Sequence, residues 1–377
     1  MGKIILFLAS LLTFFNVSAC ESVNLEDNTE PIGLQMAPFH SFEQWEKRQG
    51  GAIYNDMLVC FNAMDKGGNP KGFIYDVNTG MKLCDMMFSF NLDGKDYYPL
   101  HANQVSFGNQ FYNDESDFPL LYISQVNGGN GRNDIRGERG VLVYNLKKIG
   151  EQRYEPELVQ AIIPDLNDLI LMNKLGKYTP NYIVDTDRNQ LIVIGYPQSS
   201  WYDLTGSQPI VVFNVPDITD GTEIVLTNDK VVDSYSLSVT IAPQQSFYYE
   251  GRIFSAGGDR GQASLRVINL AEKIVEYYCD MTMLTKGEPQ FLGLWRGKVL
   301  YYEYDSLGLV YELFIPGYTF GDNWASELTG TIINKDFPVQ ERAFNLQGNV
   351  TNKAENGFQI IVNSKHPKRV IYKHQQK

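Results

Sequence analysis

A short signature recurs along the chain and limits what it can become: a turn residue, then one further residue, then two apolar residues of high β-propensity. It stands at Asn55-Asp56-Met57-Leu58-Val59, Arg188-Asn189-Gln190-Leu191-Ile192, Glu250-Gly251-Arg252-Ile253-Phe254, Arg296-Gly297-Lys298-Val299-Leu300 and Asn356-Gly357-Phe358-Gln359-Ile360. An apolar run precedes each turn, so each copy predicts a tight β-hairpin whose Gly, Asn or Asp accepts positive φ. A third strand follows in similar dress, as in Phe73-Ile74-Tyr75-Asp76-Val77, Val141 to Leu146, Ile210 to Val215, Leu265 to Leu270, Gly308 to Leu313 and Arg369 to Lys373. Two copies run on through Asn78-Thr79-Gly80 and Ala271-Glu272-Lys273 into a fourth strand. Such a unit cannot bury a face alone and must stack on its neighbours. Four strands in a meander, repeated, are the build of a β-propeller.

The second unit lacks the short hairpin but keeps its strands, His101 to Gly108 and Phe118 to Val126. Gln49, His101, Asn181, Gln245, Glu288 and Gln347 open the units, at intervals of 52, 80, 64, 43 and 59 residues. The expectation is an all-β chain folded as a six-bladed propeller, with five or seven blades as alternatives. The last unit has room for three strands, so Ile32 to His40 is expected to supply a fourth. A ring closed by strands from both termini leaves no open sheet edge. Tyr 23, Phe 21 and Gly 33 suit a turn-rich β profile. Helical patterning is scarce, with short helices expected at Ser41 to Arg48 and Asp165 to Leu175.

The first 19 residues are expected to direct export. Lys3 gives a positive start, and Ile4 to Val17 is almost wholly apolar but too short for a membrane span. Val17-Ser18-Ala19-Cys20 looks like a lipobox, with Cys20 the lipidated residue after cleavage. Residues 20–31 are polar and acidic, which predicts a flexible tether, and residues 32–377 a single propeller domain. The predicted location is the outer membrane or cell surface, with membrane contact only through the lipid and the protein a monomer. Loss of Lys3 with the signal leaves 31 Lys and Arg against 44 Asp and Glu, about −13. That balance argues against nucleic acid as a partner. Cys60, Cys84 and Cys279 remain, an odd number that rules out a disulfide framework. Cys60 and Cys84 are either bridged within one blade or buried as free thiols.

The chain resembles the TolB-like six-bladed propeller lipoproteins of Bacteroidetes. The residues that carry the resemblance are the lipobox, Gln49-Gly50-Gly51, His101-Ala102-Asn103-Gln104-Val105-Ser106-Phe107-Gly108 with Phe118-Pro119-Leu120-Leu121-Tyr122, and Glu288-Pro289-Gln290-Phe291. The resemblance implies a propeller fold and a cell-envelope location, and no defined chemistry.

The first strand of a blade is its innermost, so polar residues at its start surround one end of the central channel. Gln49, His101, Asn103, Asn181, Gln245, Glu288 and Gln347 are therefore candidates for a ligand-binding ring. The competing expectation is that they tie blades together through backbone hydrogen bonds. No catalytic or metal motif stands out. The four His residues (His40, His101, His366, His374) lack the spacing of a metal site, and no Ser-His-Asp set can be assembled. Asp114-Glu115-Ser116-Asp117 and Asp217 to Glu223 are the stretches where Ca²⁺ is conceivable, although neither has the order of a calcium loop. Gly128 to Gly137 reads as a long rim hairpin, and Trp201-Tyr202 as an aromatic pair suited to a sugar or to packing. The function expected is a binding or interaction module for a protein or glycan partner. The alternative is a Ca²⁺-dependent hydrolase or glycan lyase with its site at the channel mouth. Amides bind well but do no acid–base work, which leans against the enzyme.

Overall fold

Alternation along each strand explains how the blades stack. In the second strand of the first blade, Val59 and Phe61 face one way and Leu58 and Cys60 the other, because side chains alternate across a pleated strand. Both sets are buried. Val59 and Phe61 join the cluster shared with the second blade, and Leu58 and Cys60 the cluster shared with the fifth. Leu191 and Val193 likewise turn toward the second blade while Ile192 and Ile194 turn toward the fourth. Strands buried on both faces read as continuous apolar runs, as the sequence does here. Five hydrophobic clusters result, one at each seam between neighbouring blades. Each fully buried Leu, Ile or Phe in them contributes about 1.5–3 kcal/mol relative to exposure.

The structure is a computed structural model that describes residues 33–43, 48–62, 71–88, 90–92, 95–97, 102–124, 140–176, 180–196, 205–259, 261–304, 308–321, 341–344, 350–351 and 360–363. The signal, Cys20 and the tether lie outside these residues. The chain divides into two units, 1–330 and 331–377. In the first, β1 (Gln35–Ser41) precedes a blade of β2 (Arg48–Tyr54), β3 (Met57–Asn62), β4 (Lys71–Asp76) and β5 (Lys82–Met87). A small hairpin, β6 (Phe90–Leu92) and β7 (Lys95–Tyr97), leads to the second blade. That blade holds β8 (Val105–Phe107), β9 (Leu121–Ser124), β10 (Val141–Gly150) and β11 (Arg153–Pro164). After helix α1 (Leu169–Leu175) come β12 (Asn181–Asp185), β13 (Gln190–Ile194) and β14 (Gln208–Asn214) of the third blade. The chain then detours through β15 (Glu223–Leu226), which pairs in parallel with β11, and returns as β16 (Val231–Leu237) to complete that blade. The fourth blade is β17 (Pro243–Tyr249), β18 (Arg252–Gly257), β19 (Ser264–Asn269) and β20 (Ile274–Asp280). The fifth is β21 (Pro289–Trp295), β22 (Lys298–Glu303) and β23 (Leu309–Phe314), with β1 as its outer strand. The inner strands pack side by side: β2 with β8, β8 with β12, β12 with β17, β17 with β21, and β21 with β2.

The arrangement is thus a β-propeller of five blades, where the spacing predicted six first and five as an alternative. The N-terminal strand adds to β23, with Gln35 opposite Phe314 and Ser41 opposite Leu309. It therefore supplies the fourth strand of the Glu288 blade rather than of the unit that starts at Gln347. The second unit carries β24 (Glu341–Phe344), β25 (Val350–Thr351) and β26 (Ile360–Asn363), in the order β25-β24-β26.

The hairpin turns are where the signature placed them. Asn55 and Asn189 sit at φ 54°, and Glu250-Gly251 and Arg296-Gly297 have positive φ at both positions. Two positive φ angles are what a type I′ turn requires, and its twist matches the flanking strands. Asn356-Gly357 lies outside the described residues. The helix expected near Asp165 is α1, capped by Asp168, whose carboxylate accepts the Ile170 and Leu171 amides at 3.1 Å. At the other expected helix, Ser41 ends β1 and Arg48 opens β2.

Candidate functional site

The innermost strands leave one edge without a strand partner, and at the N-terminal end of the channel side-chain amides meet that edge. Gln245, 1% exposed, enters from the fourth blade. Its Oε1 accepts the Val105 amide at 3.1 Å and the Gly51 amide at 3.4 Å. Its Nε2 donates to the Gly51 and Val105 carbonyls, both at 2.9 Å, and to Ser246 O at 3.1 Å. One side chain thereby completes exposed backbone edges of the first and second blades from the fourth. The strand register makes this possible. A β-bulge falls between Gln49 and Gly51, between Pro243 and Gln245, and between Pro289 and Phe291, the same place in three blades. A bulge re-aims the side chain that follows it. In the first blade the bulge residue is Gly50, with φ +48° and an imaginary Cβ only 1.8 Å from Ala102 O, so no other residue fits.

Other members of the expected ring make the same kind of tie. Asn181 Nδ2 donates to Pro243 O at 3.1 Å and Gln244 O at 3.3 Å, joining the third blade to the fourth. Gln244 Nε2 donates to Glu288 Oε1, joining the fourth to the fifth. Gln49 and Asn103 are buried at 4% and 3% exposure. His101 and Gln347 lie outside the described residues. Sequence reasoning passed over Gln104, Gln208 and Gln290. Gln104 Nε2 donates to Ser246 O at 3.0 Å, and Gln208 Nε2 spans Gly195 O and Ile241 O at 3.1 Å each. Gln104 and Gln290 were findable as neighbours of Asn103 and Glu288 in the same unit starts. Asn103 Oδ1, Gln104 Oε1, Gln244 Oε1 and both polar atoms of Gln290 are buried without a protein partner. Buried amides of this kind bind ordered water.

The open space lies at the other end. A cavity of about 250 Å³ is lined by residues of all five blades, with Gln245, Gly51 and Val105 among them. Its apolar walls include Ile53, Phe107, Val184, Leu292, Leu294 and Trp295, and its aromatic rings Phe247, Tyr248 and Tyr249. Asn55, Thr186, Asp187 and Glu250 line it as polar groups, and among the described residues no Lys, Arg or His does. The hairpin turns carry these residues because in the first, third, fourth and fifth blades the C-terminal end of the inner strand runs straight into its turn.

Hydrogen bonds brace this end. Tyr248 donates to Asp187 Oδ2 at 2.6 Å and accepts the Gly251 amide at 2.9 Å, tying the third and fourth blades. Burial, then the Asp187 carboxylate, push the Tyr248 phenol well above its ordinary range, so it stays a donor. Trp295 Nε1 donates to Asp56 Oδ1 at 3.1 Å and Arg296 Nη2 to Asp56 Oδ2 at 2.8 Å, across the seam of the fifth and first blades. Trp295 is 8% exposed and also forms cavity wall.

The remaining sequence candidates have other duties. Asp117 accepts from Lys148 Nζ and Tyr154 OH, both at 2.8 Å. Asp217 and Asp220 form a capping box around the short 3₁₀ helix Ile218–Asp220. Among the described residues no three His, Cys, Asp or Glu side chains gather as a metal site. His40 Nε2 lies 2.8 Å from Val77 O, a structural contact. Cys60 and Cys84 are free thiols, and burial pushes both thiols up. The loops 128–137 and 199–204 lie outside the described residues. Among the described residues no helix is long and apolar enough to cross a membrane.

No protein-family model matches the chain, and no curated protein matches it. Among solved structures it is similar to hydrazine synthase of Kuenenia stuttgartiensis, at 10% identity and a TM-score of 0.30, over 69% of this chain and 65% of that one. It is similar to a nidogen/laminin complex at 9% identity and a TM-score of 0.32, over 73% and 80%. It is similar to the tail fibre of Staphylococcus aureus phage P68 at 11% identity and a TM-score of 0.40, over 84% and 58%. The chain spans less than two thirds of the synthase and tail-fibre chains, and at these scores no activity carries over from any of the three.

Proposed function

We propose that the protein is a cell-envelope binding module that takes a basic side chain of a protein partner into the mouth of its channel. The observation that carries this reading is the lining of the cavity: Asp187 and Glu250, aromatic and aliphatic walls, and among the described residues no cationic one. At about 250 Å³ it is smaller than the roughly 300–1,000 Å³ typical of drug-sized ligands, and suits one side chain better than a whole ligand. Apolar walls accept the methylene stem of Lys or Arg, and the carboxylates meet its head. Tyr249 adds an aromatic ring to the lining of the same cavity. A net charge of −12 draws positive partners toward the surface. The lipid anchor at Cys20 and the outer-membrane or surface position rest on the Val17-Ser18-Ala19-Cys20 sequence alone.

The test is calorimetric titration of the soluble domain with the peptides Gly-Gly-Arg-Gly, Gly-Gly-Lys-Gly and Gly-Gly-Glu-Gly, alongside a glycan array. The expected result is binding of the basic peptides only, weakened by salt and reduced at least tenfold in the E250Q variant at unchanged melting temperature. Array signals lost in that variant, without peptide binding, would move the ligand to the carbohydrate class. Binding of neither would refute a site here.

A further inference from the structure

Arg266 on β19 is fully buried, at 0% exposure, and is the largest side chain so enclosed. It lies at the seam of the third and fourth blades, opposite Tyr278 of β20. Its Nη1 donates to Val239 O at 2.6 Å, but Nε and Nη2 are buried without an acceptor. Among the described residues no carboxylate pairs with it. Tyr235 of β16, close enough to act on the guanidinium electrostatically, also has a buried hydroxyl without a partner. Tyr235, Val239 and Tyr278 all pack into the cluster of this seam.

An uncompensated buried charge costs several kcal/mol, so proteins pair it, neutralise it or bind a counter-ion. Neutralisation is incomplete here. Burial lowers the Arg266 pKa to about 9, with Tyr278 and Tyr235 opposing, which leaves the group charged at pH 7. The unmet groups are the guanidinium Nε and Nη2, with three N–H between them, and one phenol O–H. Buried donors without partners around a net positive charge call for an acceptor that carries negative charge.

We propose that Arg266 and Tyr235 hold a small inorganic monoanion of halide size at the seam of the third and fourth blades. The ion serves as an internal counter-charge that couples the two blades, and it is separate from the channel cavity.

The test uses bromide as the probe. Urea unfolding is followed in sodium bromide from 0.1 to 100 mM, with sodium gluconate holding ionic strength constant. The expected result is a folding equilibrium constant that, above the Kd, rises about tenfold for each tenfold in bromide. R266M, of similar length and apolar, is expected to fold and lose the dependence, and Y235F to weaken it several-fold. Crystals of the unaltered protein grown in bromide should show an anomalous peak beside Arg266 Nε and Nη2, which keeps the test independent of how R266M folds. An equal bromide response in R266M, or a water there without anomalous signal, would overturn the proposal.

Discussion

Replacing Gln245 tests the reading of the channel most directly, because one amide serves five hydrogen bonds. Four of them go to Gly51 and Val105, on two other blades. In Gln245→Leu the side chain keeps its bulk, so water cannot refill the space; two backbone N–H groups and the Gly51 C=O lose this partner, while the Val105 C=O keeps Gln104 Nε2 at 3.3 Å. Each unsatisfied buried group costs roughly 1–3 kcal/mol. The Gly51 amide bond is long, so a total of about 4 kcal/mol is expected, near the low end of three such costs. For a domain of this size that corresponds to a melting temperature lower by about 10 °C. Gln245→Ala should cost less, about 2 kcal/mol, because water can enter and satisfy the same groups. Gln245→Glu preserves shape and sharpens the test. Its carboxylate cannot donate to the carbonyls of Gly51, Val105 and Ser246, so burial and carbonyl repulsion raise its folded pKa above the unfolded value. A raised pKa means stability fully present below the unfolded pKa and lost as pH rises through the folded one. The variant should thus be more stable at pH 5 than at pH 7.5, measured by urea unfolding with tryptophan fluorescence. Three variants all within about 0.5 kcal/mol of the unaltered protein, or a Glu variant indifferent to pH, would refute the claim that Gln245 seals the blade edges.

Two further outcomes follow from the same geometry. Gly50→Ala should destabilise by roughly 3 kcal/mol or more, since it adds a clash with Ala102 O to an unfavourable φ. Gly251→Ala, with φ +77° but open space around its Cβ, should cost only about 1 kcal/mol in the same urea assay. Glu276 accepts hydrogen bonds from Arg252, Asn269 and Tyr318, which outweigh its burial and hold its carboxyl below the ordinary range. A depressed carboxylate adds stability above its unfolded pKa, lost as pH falls through the folded one. Glu276→Gln should therefore cost about 1–2 kcal/mol at pH 7 and little at pH 3. An equal cost at both pH values would show that the ionised form is not what the cluster holds.

Local patterns were legible because their causes are local. Asn55, Asn189, Gly251 and Gly297 mark turns whose backbone angles exclude most residues, and the apolar runs beside them are strands whatever they pair with. The polar starts of the inner strands were legible as a set for the same reason. Tying blades together was one of the two duties expected of them; which partner each would meet was not legible, because Gly51 and Gln245 meet across 194 residues and nothing near either one announces the other. The cavity was missed since it sits at the C-terminal ends of these strands, among residues such as Tyr248 and Trp295 that read as ordinary packing. Gln208, too, carries no local sign of the bridge it makes to Ile241.

What the chain determines by itself is a meander of two-faced strands with tight turns, which cannot be stable until each blade lies against another. How many blades assemble, and which strand ends beside the N-terminus, are decided by long-range packing. Once β1 adds to β23, the Glu288 blade has its four strands and needs none from the residues that follow. The axis is decided the same way. A channel among five inner strands is narrow enough for one glutamine to cross, so an amide that looked like one of seven ring members instead meets the edges of two other blades.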